Sequence, residues 1–154
     1  MHSPIARRHL FQSGAAALTA AAYSRVLGAN DRVHLGLTGC GGRGVGVMGL
    51  FQKHPNVTVA AVCDVWGDRA ERAAAKAAGA RTTGDHRRLL EMKPLDAVLI
   101  ATPDHWHAPM IIEACAAGKD VYCEKPLSNS IETGLKAVEA VARHKRVVQI
   151  GLQQ

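Results

Sequence analysis

From Asn30 onward, short apolar runs of strand length take turns with longer stretches of helical spacing. Residues 32–38 alternate apolar and polar positions and run into a glycine-rich turn, which predicts a first strand, and residues 45–53 predict a helix. Val57–Cys63 is an apolar run bounded by Pro55-Asn56 and Asp64, the pattern of a second strand. Residues 67–78 predict a helix closed by Gly79, where a C-terminal cap wants a glycine. A short strand is expected at Arg81–Thr83 and a helical turn over 85–92. Residues 96–101 form a strand apolar on both faces, as central parallel strands are. The rest predicts a helix over 107–117 ended by Gly118, a strand over 120–123, a helix over Ile131–His144 and a last strand over 147–150. Such alternation, with right-handed crossovers, specifies an α/β fold, a doubly wound parallel sheet of about six strands.

The segment before Asn30 follows a different pattern. Arg7-Arg8-His9-Leu10-Phe11 precedes a mild, Ala-rich run with no charged side chain until Arg25. This is the three-part layout of an export signal, and the paired arginines resemble a twin-arginine address, which a receptor reads. Spanning a bilayer takes about 20 apolar residues, so the segment is too short for a permanent membrane anchor. The expected organisation is therefore a signal and linker over 1–29 and one nucleotide-binding domain over 30–154, carried to the periplasm or beyond. An N-terminal amphipathic helix is the alternative, since Ala-rich runs also favour helix.

Length and charge narrow the function classes. At 154 residues the chain has room for one domain and its core. The formal charge of +6 includes Arg7, Arg8 and Arg25, and no acid precedes Asn30, so the remainder carries sixteen basic against thirteen acidic side chains, or +3. Lys and Arg are scattered and aromatic residues isolated, which argues against nucleic acid as a partner. Cys40, Cys63, Cys115 and Cys123 form no C-x-x-C pair and have no His at metal-finger spacing, so no metal site is expected and the thiols read as small buried residues.

Three stations carry chemistry. Gly39-Cys40-Gly41-Gly42-Arg43-Gly44 fits G-x-G-x-x-G between a strand and a helix. There Gly39 permits the turn, Gly41 and Gly42 let backbone approach a pyrophosphate, Gly44 allows close helix packing, and the helix N-terminus favours the anion. Asp64 ends the second strand, and its distance in sequence from Gly39 is close to that of the acid that takes both ribose hydroxyls and repels a 2′-phosphate. NAD is thus favoured over NADP, although Arg43 and Arg69 are available to a phosphate; a plain helix cap is the alternative for Asp64. At the carboxyl end of the fourth strand, Thr102-Pro103-Asp104-His105-Trp106-His107 exposes polar groups where α/β sheets place ligands, with Thr102 and Pro103 expected against the cofactor. His107 is a candidate for substrate contact or a structural histidine. Glu124-Lys125-Pro126 leaves the fifth strand at the same edge. Lys125 there can hold a substrate hydroxyl and assist its proton transfer, or pair with Glu124 on the surface.

Together these stations resemble the Gfo/Idh/MocA family of sugar and polyol dehydrogenases, over residues 32–154. The resemblance implies NAD or NADP as cofactor, a small-molecule sugar or polyol as substrate, Lys125 as the active-site lysine and His107 as the histidine of the turn. It places the glycines, Arg43, Asp64 and Glu124 at the cofactor. Members continue into a second α/β domain that supplies a further acid/base residue and leaves room for a homo-oligomer. A chain stopping at Gln154 is therefore expected to be part of a longer enzyme, with an exposed apolar surface where the second domain would sit. Within the family, an NAD-dependent glycoside hydrolase, in which transient oxidation permits elimination and water addition, stands beside the dehydrogenase. A nucleotide-binding module without catalysis is the third reading.

Overall fold

A computed structural model describes residues 32–152. Among them six strands run parallel: β1 (Val33–Thr38), β2 (Val57–Cys63), β3 (Arg81–Thr83), β4 (Ala97–Ile100), β5 (Asp120–Glu124) and β6 (Val148–Gly151), in the order β3-β2-β1-β4-β5-β6. Five helices cover them: α1 (Gly42–Phe51), α2 (Gly67–Ala74), α3 (His86–Leu90), α4 (His107–Ala116) and α5 (Ile131–His144). A 3-10 turn over Asp104–Trp106 leads into α4. The expected doubly wound sheet is present.

The sheet carries a core on each face. On one, Val47 and Met48 of α1 and Ala70 and Ala73 of α2 pack on Leu35, Leu37, Val59, Val62 and Leu99. On the other, Leu89, Ile111, Ala114, Cys115 and Ala137 from α3, α4 and α5 pack on Ala61, Val98, Ile100, Val121 and Cys123. Leu37, Leu99, Ile100 and Ile111 are at most 1% exposed, and each such side chain contributes about 1.5–3 kcal/mol by leaving water. Exposed apolar side chains gather elsewhere: Ile131, Leu135 and Val138 along α5, and Val147 and Leu152 at the two ends of β6. No helix of the described residues is long and apolar enough to cross a membrane; the expected signal over 1–29 lies outside the described residues.

Element boundaries differ from the sequence reading in two instructive places. Helix α1 begins at Gly42, inside the glycine motif, because the turn must aim free backbone N–H groups at the crevice rather than follow glycine's poor helix propensity. Helix α2 ends at Ala74, before the expected 78, because Lys76, Ala77 and Ala80 donate to Ala73, Ala74 and Ala77 in successive tighter turns. Gly79, at φ 81°, then reverses the chain as a cap would.

All four cysteines are buried and free. Burial pushes Cys63 and Cys123 up to about 12 and Cys40 up to about 11, from 9.0. The native thiols therefore stay neutral, while an unfolded chain begins to ionise them near pH 9. Their contribution to stability is intact below that and is lost as pH rises toward 11 to 12. At pH 8 the native chain should leave a thiol reagent nearly unconsumed and the denatured chain should titrate all four; rapid native labelling would contradict this burial.

Candidate functional site

Strands β1 and β4 are neighbours, but β1 leaves toward α1 on one face and β4 toward α4 on the other. Their loops diverge and open a crevice of about 670 Å³ at the carboxyl ends, bordered by Gly39, Gly41, Asp64, Thr102 and Pro103. Gly39 sits at φ 91° with its N–H donating to the Cys63 carbonyl at 2.9 Å. A Cβ on it would stand 2.5 Å from the Ala101 carbonyl oxygen. Gly44 is tighter, since its Cβ would overlap the carbonyl oxygen of Gly39. Gly41 and Gly42 have nothing within 4 Å of an added Cβ, so the start of α1 is an open cradle. Free N–H groups and the positive end of the helix dipole make that cradle fit a pyrophosphate.

Asp64 is fixed by two backbone donors: Cys40 N–H to Oδ2 at 2.8 Å and Trp66 N–H to Oδ1 at 2.9 Å. The carboxylate ties the glycine turn to the end of β2 and does not cap α2, whose N-cap is Trp66 with no side-chain cap hydrogen bond, so the plain helix-cap alternative does not hold. A carboxylate offers about four lone-pair sites, which leaves two for ribose hydroxyls. Arg69 lies over the Trp66 ring, 4.7 Å from its centroid, at this same end.

A smaller pocket of about 290 Å³ adjoins the crevice through Ala101 and Thr102 and is lined also by Arg43, His107, Glu124 and Lys125. Lys125 is exposed at its rim. Glu124 is buried, with its carboxylate accepting from Arg43 Nη2 at 3.0 Å, which corrects the picture of a surface Lys125–Glu124 pair. That hydrogen bond raises the pKa of Arg43. Arg43 thus stands at the Lys125 end and Arg69 at the Asp64 end. His107 is 2% exposed, with Nδ1 2.6 Å from the Pro126 carbonyl and Nε2 2.9 Å from that of Thr102. Both ring nitrogens are turned to backbone, so His107 staples the Thr102 turn to the segment after Lys125.

Sequence reasoning singled out neither His86 and Arg87 at the crevice nor the Arg43–Glu124 contact. His86, Arg87 and Trp106 also line the crevice. His86 Nε2 lies 2.5 Å from Glu113 Oε2, and Arg87 Nη2 3.5 Å from Glu113 Oε1. The available signal was Gly84-Asp85 at the carboxyl end of β3, in the same plane as the other ligand-facing loops. Asp85 caps α3 by accepting from Arg87 N–H.

Comparison with known proteins gives a consistent result. Residues 33–152 match GFO_IDH_MocA, described as the oxidoreductase family, NAD-binding Rossmann fold. Inositol 2-dehydrogenase 4 of Saccharopolyspora erythraea is 35% identical over 127 residues, 81% of this chain and 38% of that protein. A glycosyl hydrolase family 109 protein of the same organism is 32% identical over 127 residues, 77% of this chain and 28% of that protein. Among solved structures, the WlbA dehydrogenase of Bordetella pertussis, in complex with NADH and UDP-GlcNAcA, superposes with a TM-score of 0.75 at 27% identity over 79% of this chain and 35% of that one. The chain spans about a third of the length of these relatives. With the glycine cradle, the carboxylate clamp and the switch-point crevice all in place, the chain belongs to the GFO_IDH_MocA oxidoreductases as their NAD-binding Rossmann domain.

Proposed function

We propose that this domain serves an oxidoreductase that removes hydride from a ring hydroxyl-bearing carbon of a sugar or polyol. The observation that carries the reading is a crevice bordered by the glycine cradle and Asp64 and adjoined, at Ala101 and Thr102, by a smaller pocket with Lys125 at its rim. NAD, when bound, supplies the hydride acceptor. The chain's own residues then divide the work. Gly41 and Gly42 admit the pyrophosphate to the N–H groups of α1, Asp64 holds the ribose, and Thr102, where the two pockets meet, lies with Pro103 along the cofactor. Lys125 holds the reacting hydroxyl and assists removal of its proton, and His107 keeps the Thr102 and Pro126 segments in register.

Inositol is the first substrate to test, supported by the inositol dehydrogenase relatives. The expected result is NADH formation from a cyclic polyol by the whole protein, and none from any cyclic polyol or sugar would reject the reading. The glycosyl hydrolase relative supports a second one, in which hydride returns to the same substrate. Cleavage of an aryl glycoside without net NADH would select it.

Cofactor choice has its own test. Asp64→Ala should weaken NAD by about tenfold or more, because two ribose bonds are lost and Cys40 N–H loses its acceptor. NADP should be affected much less. Equal weakening of both cofactors in a titration would remove Asp64 from the ribose.

Export completes the proposal. Arg7-Arg8 and the Ala-rich run support a twin-arginine signal. That route carries folded proteins, so the cofactor would travel already bound. The mass of the secreted chain should place its new N-terminus between Tyr23 and Asn30; an intact N-terminus on exported protein would exclude cleavage.

A further inference from the structure

Lys125 is held from both sides. On its C-terminal side, the Pro126 carbonyl faces His107 Nδ1 at 2.6 Å, a tether from the β4–α4 loop. On its N-terminal side, Glu124 accepts from Arg43 at 3.0 Å, a tether from the first turn of α1 that spans 81 residues of sequence. The Glu124 side chain is 7% exposed, whereas that of Arg43 is 51% exposed and borders the pocket beside Lys125. Below them, Tyr122 and Glu124 converge on β6. A Cβ on Gly151 would stand 2.5 Å from the Tyr122 hydroxyl and 3.0 Å from Glu124 Oε1. The carboxylate is thus boxed in by β6 beneath and Arg43 above, so the position of Arg43 bears on where the Glu124–Lys125 peptide can lie.

Arg43 also belongs to the motif that receives the cofactor, next to Gly42 and its open cradle. A pyrophosphate seated on Gly41 and Gly42 would lie within the same first turn of α1. We propose that Arg43 is a positioning residue: through Glu124 it sets where Lys125 stands, so that filling the glycine cradle and placing the lysine are one linked event. An arginine suits this better than a lysine, because its planar fork can give one N–H to the carboxylate while others remain for an anion. This inference rests on the reading of Lys125 as the substrate-side residue, but its test needs no substrate.

The test follows the Lys125 side-chain Cε resonance by NMR during NAD titration of the full chain, with the signal assigned by its loss in Lys125→Arg. NAD should move this resonance in the wild type. Arg43→Met should weaken NAD by about tenfold, as for one charge-assisted hydrogen bond, and at saturating NAD the Lys125 signal should stay near its free position. Glu124→Gln, whose side chain faces Arg43 rather than the cradle, should blunt the Lys125 response in the same way. Should Arg43→Met fail to fold, the double variant Arg43→Met/Glu124→Gln removes both charges and should respond like Glu124→Gln alone, because the two substitutions break one tie. A wild-type Lys125 response at saturating NAD in either single variant, or losses that add in the double variant, would overturn the proposal and confine Arg43 to direct contact with the cofactor. Failure of the whole protein to oxidise any polyol would leave these readouts untouched, so the two ideas fail separately.

Discussion

Gly44→Ala and Gly41→Ala should separate folding from cofactor binding within one motif. At Gly44 the added Cβ overlaps the carbonyl oxygen of Gly39 and lies 3.1 Å from Ala101 Cβ. Both obstacles belong to backbone-fixed positions at the junction of β1, α1 and β4, and neither is a side-chain end that can swing aside. The cost should reach or exceed the upper end of ordinary overpacking, about 3 kcal/mol. Helix α1 must shift, and its N–H groups with it, so NAD binding should fall by more than about 100-fold, the equivalent of two such contacts. At Gly41 the backbone has an ordinary φ of −69° and the space is empty. Alanine there should cost about 1 kcal/mol at most, as a poorer N-cap, yet it fills the volume a pyrophosphate needs. Thermal unfolding and NAD titration of both variants check the pair. A Gly41→Ala chain that binds NAD as the wild type does would move the pyrophosphate off the cradle.

Lys125→Ala in the whole protein should lower kcat by about 10²–10⁴-fold, the usual contribution of a positioned proton-transfer group. Affinity for NAD should change little, since Lys125 lies at the rim of the smaller pocket and the cradle and Asp64 lie in the larger crevice. Lys125→Arg keeps the charge but cannot take part in proton transfer near neutral pH, so its kcat should also be low while KM stays closer to wild type. The steady-state constants of both variants on a cyclic polyol give the answer. An unchanged kcat in Lys125→Ala would end the catalytic assignment and leave the lysine as a surface residue.

His107 shows how a motif residue can be correctly located while its environment stays hidden. Its place after the Thr-Pro turn was legible, but two backbone carbonyls, one five and one nineteen residues away, take up its ring nitrogens. No local pattern announces the second. Glu124 is the same case at longer range. Its position at the end of a strand was readable, while its burial and its partner 81 residues away were not. Asp64 stands between these extremes. Its spacing from Gly39 pointed to a ligand role, and the structure adds a bond to Cys40 N–H that no spacing rule contains.

What the amino-acid sequence determined by itself was whatever depends on local periodicity and backbone freedom. That covers the alternation of buried strands and amphipathic helices, the glycine turn after β1, and the candidate residues at the carboxyl ends of β2, β4 and β5. These are short-range signals, because side-chain period and permitted φ are properties of neighbouring residues. Only the tertiary structure decided that α1 starts within the glycines, that Arg43 reaches Glu124, and that His86 and Arg87 line the crevice that Asp64 also borders. Those outcomes depend on which loops the sheet order β3-β2-β1-β4-β5-β6 brings side by side. Contacts between residues far apart in the chain follow from packing two cores onto one twisted sheet, and that constraint acts on the whole domain at once.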